Sequence, residues 1–231
     1  MYEAVHAHPD GDATVARFAR TAARQGYQGV VVRTRDAEFD AEAVREEYDV
    51  DVVDGAEIRE SDPGSAGGAV GNFRTDVTVL LVAGGDNAMN RFAVEDDSVD
   101  VLTRPMADRG DFNHVLAKAA DTHRTYVEFD FGPVLRTTGG ERVQALSDLR
   151  KLREIVDHFD APYVVSANAS SHLELRAPHE LRAVGEAIGF TAEQVEAGLA
   201  AWGELVAENR RRRSEEFIAP GVERGRYEEE R

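Results

Sequence analysis

Short apolar runs alternate with segments of helical period along most of this chain. Tyr2–Val5 (YEAV) precedes a segment in which Val15, Phe18, Ala19 and Ala22 share one helical face. Gly29–Val32 (GVVV) follows as a buried type of strand. A polar helix over Ala41–Tyr48 leads to two apolar stretches, Val50–Val53 and Ala56–Ile58. Val77–Val82 (VTVLLV) is the clearest buried strand, continuous and rich in β-branched side chains. Beyond it come a helix over Asn87–Glu95, a strand over Val99–Leu102, a helix over Phe112–Ala120 and a strand over Tyr126–Phe129. Arg142–Phe159 predicts a long helix with Val143, Leu146, Leu149, Leu152, Val156 and Phe159 as its buried stripe. Pro162 introduces the strand Tyr163–Ser166, and Pro178 opens a helix carrying Leu181, Val184 and Ile188. Thr191 is placed to cap a last helix with Val195, Leu199, Trp202 and Val206 on one face.

Such a succession of βα units predicts a mainly parallel sheet with helices outside it. Short strands and the lack of a Gly-x-Gly-x-x-Gly fingerprint favour a barrel over an open doubly wound sheet. No eighth strand is evident, so the expected architecture is α/β, a distorted or incomplete TIM-like (βα) barrel. A single domain is expected over residues 1–218, with the aperiodic stretch 219–231 as an extended or disordered tail. Ser61–Gly71 (SDPGSAGGAVG) is rich in Gly and Ser and reads as a mobile loop between two strands.

Charge changes this picture. Acidic residues number 44 against 27 basic ones, a formal charge of −17, and every basic residue except Lys118 and Lys151 is arginine. Carboxylates are spread along the whole chain, so no single acidic tail accounts for the balance. The pattern fits a surface kept hydrated in molar salt, as in a halophile, and it does not exclude a nucleic-acid partner. What matters is where the arginines cluster. Cysteine is absent, which excludes disulfides, thiolate metal sites and thiol nucleophiles. No apolar run approaches the roughly 18–20 residues that cross a bilayer, and a cytoplasmic location without membrane contact is expected.

In a βα barrel, functional residues stand where strands end. Those points carry His6 and His8, Arg33, Glu57, Asp86, Arg104, Glu128 with Asp130, and Asn168 with Ser170, Ser171 and His172. His6 and His8 alternate on a strand, so both imidazoles could face one metal. Together with Gly55-Ala56-Glu57 they resemble the polymerase-and-histidinol-phosphatase (PHP) phosphoesterases. Those begin with His-x-His, continue with a Gly-x-Glu carboxylate and end with Asp-x-His. Here the last element reads Asn168-Ala169-Ser170, which removes two strong ligands. No metal is therefore expected, with His6, His8 and Glu57 as the alternative. The preferred reading makes both histidines rim residues that hydrogen-bond or contact RNA. Gly84-Gly85-Asp86 lacks the Lys-Ser/Thr end of a phosphate loop and reads as a plain turn.

The arginines are more informative. Arg210, Arg211, Arg212 and Arg213 close the last helix, where cations also suit the helix dipole. Arg142, Arg150, Lys151 and Arg153 form a second group on one helix, and Arg74, Arg91, Arg104, Arg136 and Arg176 a third near strand ends and loops. At molar ionic strength the Debye length is ~3 Å, so long-range attraction to phosphate nearly vanishes. Bidentate hydrogen bonds and stacking survive, and arginine supplies both. The candidate RNA-binding set is accordingly Arg74, Arg91, Arg104, Arg136, Arg176 and Arg210–Arg213, with Asn168 and Ser170.

Several blocks share an ordered pattern with one family. They are Gly71–Asp76 (GNFRTD), Asn90–Glu95 (NRFAVE), Val99–Leu102, Asn113–Lys118 (NHVLAK), Glu128–Asp130, Leu146–Arg153 (LSDLRKLR) and Ser166–Leu173 (SANASSHL). The set resembles the archaeal ribonuclease P component 3 proteins over most of Gly71–Tyr227; the first sixty residues match mainly in layout. The resemblance implies a PHP-like barrel without the full metal site. It also implies RNA-catalysed, Mg²⁺-dependent removal of the 5′ leader of precursor tRNA, with no catalytic residue and no bound cofactor in this chain. The implied partners are ribonuclease P RNA, ribonuclease P component 2 in a heterotetramer and the other ribonuclease P proteins. Precursor tRNA would be met indirectly.

Overall fold

A computed structural model describes residues 1–214 with their side chains, and the backbone of 217–219 and 222–223. Seven strands pair in parallel in chain order: β1 (Tyr2–Val5), β2 (Gly29–Val32), β3 (Asp51–Ile58), β4 (Val79–Ala83), β5 (Val101–Thr103), β6 (Tyr126–Asp130) and β7 (Tyr163–Ser166). Helices fill the crossovers: α1 (Val15–Gln25), α2 (Ala41–Tyr48), α3 (Pro63–Phe73), α4 (Asn87–Glu95), α5 (His114–His123), then α6 (Gly132–Arg136) and α7 (Gly139–His158). Two more, α8 (Pro178–Ile188) and α9 (Ala192–Arg212), follow β7.

Alternation along the strands builds two apolar layers. Val5, Val30, Val32, Val52, Leu80, Val82, Leu102, Val127 and Val165 join the core shared with the surrounding helices. Their neighbours Ala4, Val31, Val53, Val79, Leu81, Val101 and Val164 form a second cluster inside the ring, completed by Ala201, Trp202, Leu205 and Val206 of α9. The closing seam between β1 and β7 is made only near its C-terminal end. There Val5 bridges Ala169 in parallel and the His6 amide donates to the Ala169 carbonyl over 2.9 Å.

Helix α9 takes the place of an eighth strand along the rest of the seam. The Trp202 indole N–H donates to the Val165 carbonyl, 3.0 Å away, which satisfies an acceptor on an edge of β7. Close approach depends on two small residues: a Cβ on Gly198 would stand 2.6 Å from Val165 Cγ2, and one on Gly203 would stand 3.1 Å from the Tyr2 ring. The far end of α9 is tied down by Asn209 Nδ2 donating to the Thr78 carbonyl and by a two-pronged Arg210–Asp51 pair at 2.7 and 3.1 Å. This is the incomplete barrel expected from the strand pattern.

The structure corrects several local expectations. Ser61–Gly71 is not a loop: most of it is the first part of α3, with Asp62 accepting from the Ser65 amide as N-cap and Pro63 in the first turn. Ala66 and Val70 are its buried residues. In α7, Val143 is 66% exposed, so the buried stripe runs through Leu149, Leu152 and Val156 rather than from the start of the helix. The stretches Val50–Val53 and Ala56–Ile58 merge into the single strand β3, and α6 had no counterpart in the periodicity. Of the tail expected from Ala219, that residue ends β8 (Phe217–Ala219) and Val222–Glu223 form β9, an antiparallel pair; the remainder lies outside the described residues.

Candidate functional site

The inward positions at the C-terminal ends of the strands carry polar groups, one step above the apolar layer. Arg33 follows Val31 on the inner face of β2, Glu57 follows Val53 and Gly55 on β3, and Glu128 and Asp130 follow Tyr126 on β6. Ser166 and Asn168 continue the inner face of β7. Arg33 is 1% exposed and sits at the centre of this ring. One guanidinium nitrogen, Nη2, donates to Glu128 Oε1 at 2.6 Å; the other, Nη1, donates to Asn168 Oδ1 at 2.8 Å and lies 3.5 Å from Glu57 Oε2. Ser166 Oγ donates to the same Glu128 oxygen, and Asn168 Nδ2 donates to Asp130 Oδ2. The Arg33 guanidinium also stands 6.0 Å from the Trp202 ring. Burial alone would lower the Arg33 pKa; the Glu128 and Glu57 carboxylates outweigh it and raise it.

His6 and Arg59 complete the ring. Arg59 Nε donates to Glu57 Oε1 at 2.7 Å, and its Nη2 lies 3.0 Å from His6 Nδ1. With Nδ1 facing a donor, the imidazole carries its proton on Nε2 and donates to Asn168 Oδ1 at 2.8 Å. Burial and then the Arg33 and Arg59 charges lower the His6 pKa to about 3, so the ring is neutral at any working pH. Burial and the adjacent Glu128 raise Asp130 to about 6.

A PHP-type metal does not fit this arrangement. The His6–Glu57 side of the ring is filled by two guanidinium groups, Arg33 and Arg59, whose positive charges and N–H donors face the atoms a cation would need. His8 lies beyond the end of β1 and is exposed while His6 is buried, so the two imidazoles do not share a face as strand alternation suggested. Among the described residues, no group of three or more His, Asp or Glu side chains is arranged to hold a metal ion.

The candidate RNA-binding residues lie on several faces, and most are engaged within the chain. Arg74 donates to the Asp100 carboxylate and to the Ser98, Val77 and Thr78 carbonyls, a staple below β4. Arg136 donates to the Ala167 and Asn168 carbonyls, and Arg176 to those of Leu173 and Leu175. Arg91 pairs with Glu95 one turn along α4. In the run at the end of α9, Arg210 holds Asp51, Arg211 and Arg212 hold Glu208, and Arg213 donates to the Thr75 carbonyl. Asn168 is spent on Arg33, His6 and Asp130, and Ser170 is half-buried. Arg104, exposed in the loop after β5, is the arginine of the set whose side chain meets no partner among the described residues.

The family described as RNase P subunit p30 matches residues 1–214. A ribonuclease P protein component 3 of Halorubrum lacusprofundi is 62% identical over the whole of both chains, and that of Halobacterium salinarum is 55% identical over the same full coverage. The chain belongs to the RNase P subunit p30 family. Its fold is shared with a chain in the cryo-EM structure of archaeal ribonuclease P with mature tRNA, at a TM-score of 0.84 and 24% identity over 100% of both chains. A histidinol phosphate phosphatase of Lactococcus lactis, solved with zinc, histidinol and phosphate, gives a TM-score of 0.52 at 11% identity, covering 82% of this chain and 94% of that one.

In this p30-family chain the strand-end positions were legible as a set, but Arg59 and the seam residue Glu3 were not. Arg59 lies one residue past β3 and has no motif. Glu3 sits on β1 and is wholly buried in the seam, where it accepts from the Ala167 amide at 2.9 Å and the Ala4 amide at 3.2 Å. Tyr27 Oη is 2.8 Å from the Arg176 carbonyl and 3.4 Å from Glu3 Oε2. A phenol has one proton, and the nearer carbonyl takes it. Burial raises the Glu3 pKa to about 8, so the carboxyl is protonated at neutral pH and its own hydrogen faces Tyr27. A charged residue inside an otherwise apolar strand was the signal available. Asp86, by contrast, is explained by structure alone: it caps α4 by accepting from the Ala88 and Met89 amides.

Proposed function

We propose that this chain is a protein subunit of ribonuclease P that binds and shapes the catalytic RNA and does not itself cleave precursor tRNA. The observation that carries the reading is Arg33. In a fold shared with a zinc-bearing phosphatase, a buried guanidinium links Glu57, Glu128 and Asn168 where a hydrolytic centre would need free donors. Mg²⁺ then serves the RNA, and this chain binds no cofactor. Component 2 is its protein partner in a heterotetramer, and the assembly works in the cytoplasm. No helix among the described residues is long and apolar enough to cross a membrane. Arginine-rich surfaces suit phosphate contact in high salt, because bidentate bonding survives screening.

The test is cleavage of precursor tRNA by the cognate ribonuclease P RNA at limiting Mg²⁺, with component 2 alone and then with this chain added. A higher rate or a lower Mg²⁺ requirement, unchanged by His8→Ala, is the expected result. Metal-dependent hydrolysis by the chain alone, with no effect on the RNA enzyme, overturns the reading in favour of a phosphoesterase.

A further inference from the structure

Helix α1 breaks the charge pattern of the rest of the molecule. It runs between the Thr14 N-cap and Gly26, whose left-handed φ of 86° ends it, and has no Asp or Glu. Its inner face, Val15, Phe18, Ala19 and Ala22, is buried. Its outer face carries Arg17, Arg20 and Arg24, all exposed, at i, i+3 and i+7. With a rise of 1.5 Å per residue the three guanidinium stems span about 10 Å along the axis and fall within one narrow sector.

These arginines have no ion-pair partner among the described residues, unlike several arginines elsewhere on the chain. Arg91 pairs with Glu95, Arg182 with Glu196 and Arg210 with Asp51. In a chain of charge −17, an array of three unneutralised guanidinium groups on one helix is a site of concentrated positive potential. Short-range bidentate donors of this kind recognise phosphate oxygens even where salt has removed long-range attraction.

We propose that the outer face of α1, through Arg17, Arg20 and Arg24, docks the phosphate backbone of an RNA strand. The proposal rests on the subunit reading and adds to it a binding face distinct from the residues at the barrel mouth and at the end of α9.

Binding of the full chain with component 2 to ribonuclease P RNA is measured across KCl concentrations for wild type, Arg17→Gln/Arg20→Gln/Arg24→Gln and the matching Glu variant. Three phosphate contacts at roughly 0.7–0.9 each make the log–log salt slope of the Gln variant shallower by about 2, and weaken binding by about a hundredfold for each tenfold drop in salt relative to wild type. Circular dichroism checks that the exposed substitutions leave the fold intact. Because the chain has no cysteine, Thr21→Cys on the same face also accepts a tethered RNA-cleaving reagent, with Val115→Cys, 54% exposed on α5, as control. Enhanced strand cleavage from position 21 is expected. Unchanged slope and affinity together with equal cleavage from both tethers overturn the proposal while leaving the subunit reading intact. Loss of component 2 association with RNA affinity retained would make the face a protein contact and overturn it as well. Failure of wild type to bind or stimulate the RNA sinks the subunit reading, and this proposal with it.

Discussion

Replacing Arg33 by Met removes the central charge of the barrel mouth while keeping a side chain of comparable length. Glu128, 1% exposed, then loses the guanidinium that neutralises it, Glu57 keeps only Arg59, and Asn168 Oδ1 loses a donor. Breaking a buried ion pair from one side costs about 3–5 kcal/mol, because the surviving charge stays desolvated. Against a typical total of about 5–15 kcal/mol, that is a large share of the stability. For a domain of this size it corresponds to a fall in Tm of roughly 6–20 °C. Urea unfolding at fixed KCl, followed by circular dichroism, gives the cost directly. Adding Glu128→Gln to Arg33→Met removes a stranded charge, so the double variant should lose less than the sum of the two single variants. Arg33→Lys should recover only part of the loss, since one ammonium cannot reach Glu128 and Asn168 with two forked donors. A cost below about 1 kcal/mol for Arg33→Met, or strict additivity with Glu128→Gln, would refute the argument that this charge holds the mouth together.

Glu3→Gln tests the protonated seam. The folded pKa of about 8 lies above the ordinary carboxyl value of 4.5, so the contribution of Glu3 to stability is full below 4.5 and is lost as pH rises towards 8. At about 1.4 kcal/mol per pH unit the loss reaches roughly 3 kcal/mol by pH 7; the amide should flatten the profile, and parallel urea midpoints at pH 5 and 8 would contradict it. Gly198→Ala should destabilise by about 1–3 kcal/mol through its contact with Val165, outweighing the ~1 kcal/mol that alanine adds to a helix; a more stable variant would show that α9 does not lie so close to β7. Asp62→Ala should cost about 1 kcal/mol and speed amide exchange across residues 63–73, because the glycine-rich α3 depends on its cap; unchanged exchange would count against that dependence.

Much of the architecture was legible in the sequence because period and composition agree where strands are buried on both sides. Val77–Val82 and Gly29–Val32 could hardly be anything else. Ser61–Gly71 was misread because its glycines and serines lower helix propensity, although Asp62 followed by Pro63 is a helix-start signal that tertiary packing of Ala66 and Val70 then secures. The strand-end rule brought Arg33, Glu57, Glu128 and Asn168 onto one list. It could not say that the arginine would fill the space between the others, since that follows from three-dimensional register and not from any motif. The run Arg210–Arg213 looked free for the same reason: Asp51 and Thr75 are over 130 residues away along the chain and next to it in space.

The way α9 closes the seam also leaves the molecule with an optical gauge. Trp202 is the single tryptophan, fully buried, with its indole N–H on the Val165 carbonyl and Arg33 above its ring. Its emission therefore reports on one place only, the joint where the last helix meets the first and last strands of the barrel. A ligand on the outer face of α1 or at the exposed Arg104 should leave that emission in place, and a red shift with new access to a soluble quencher should mark opening of the joint. One fluorophore, already in the chain, separates the loss of the fold from the binding of its partner in the same cuvette.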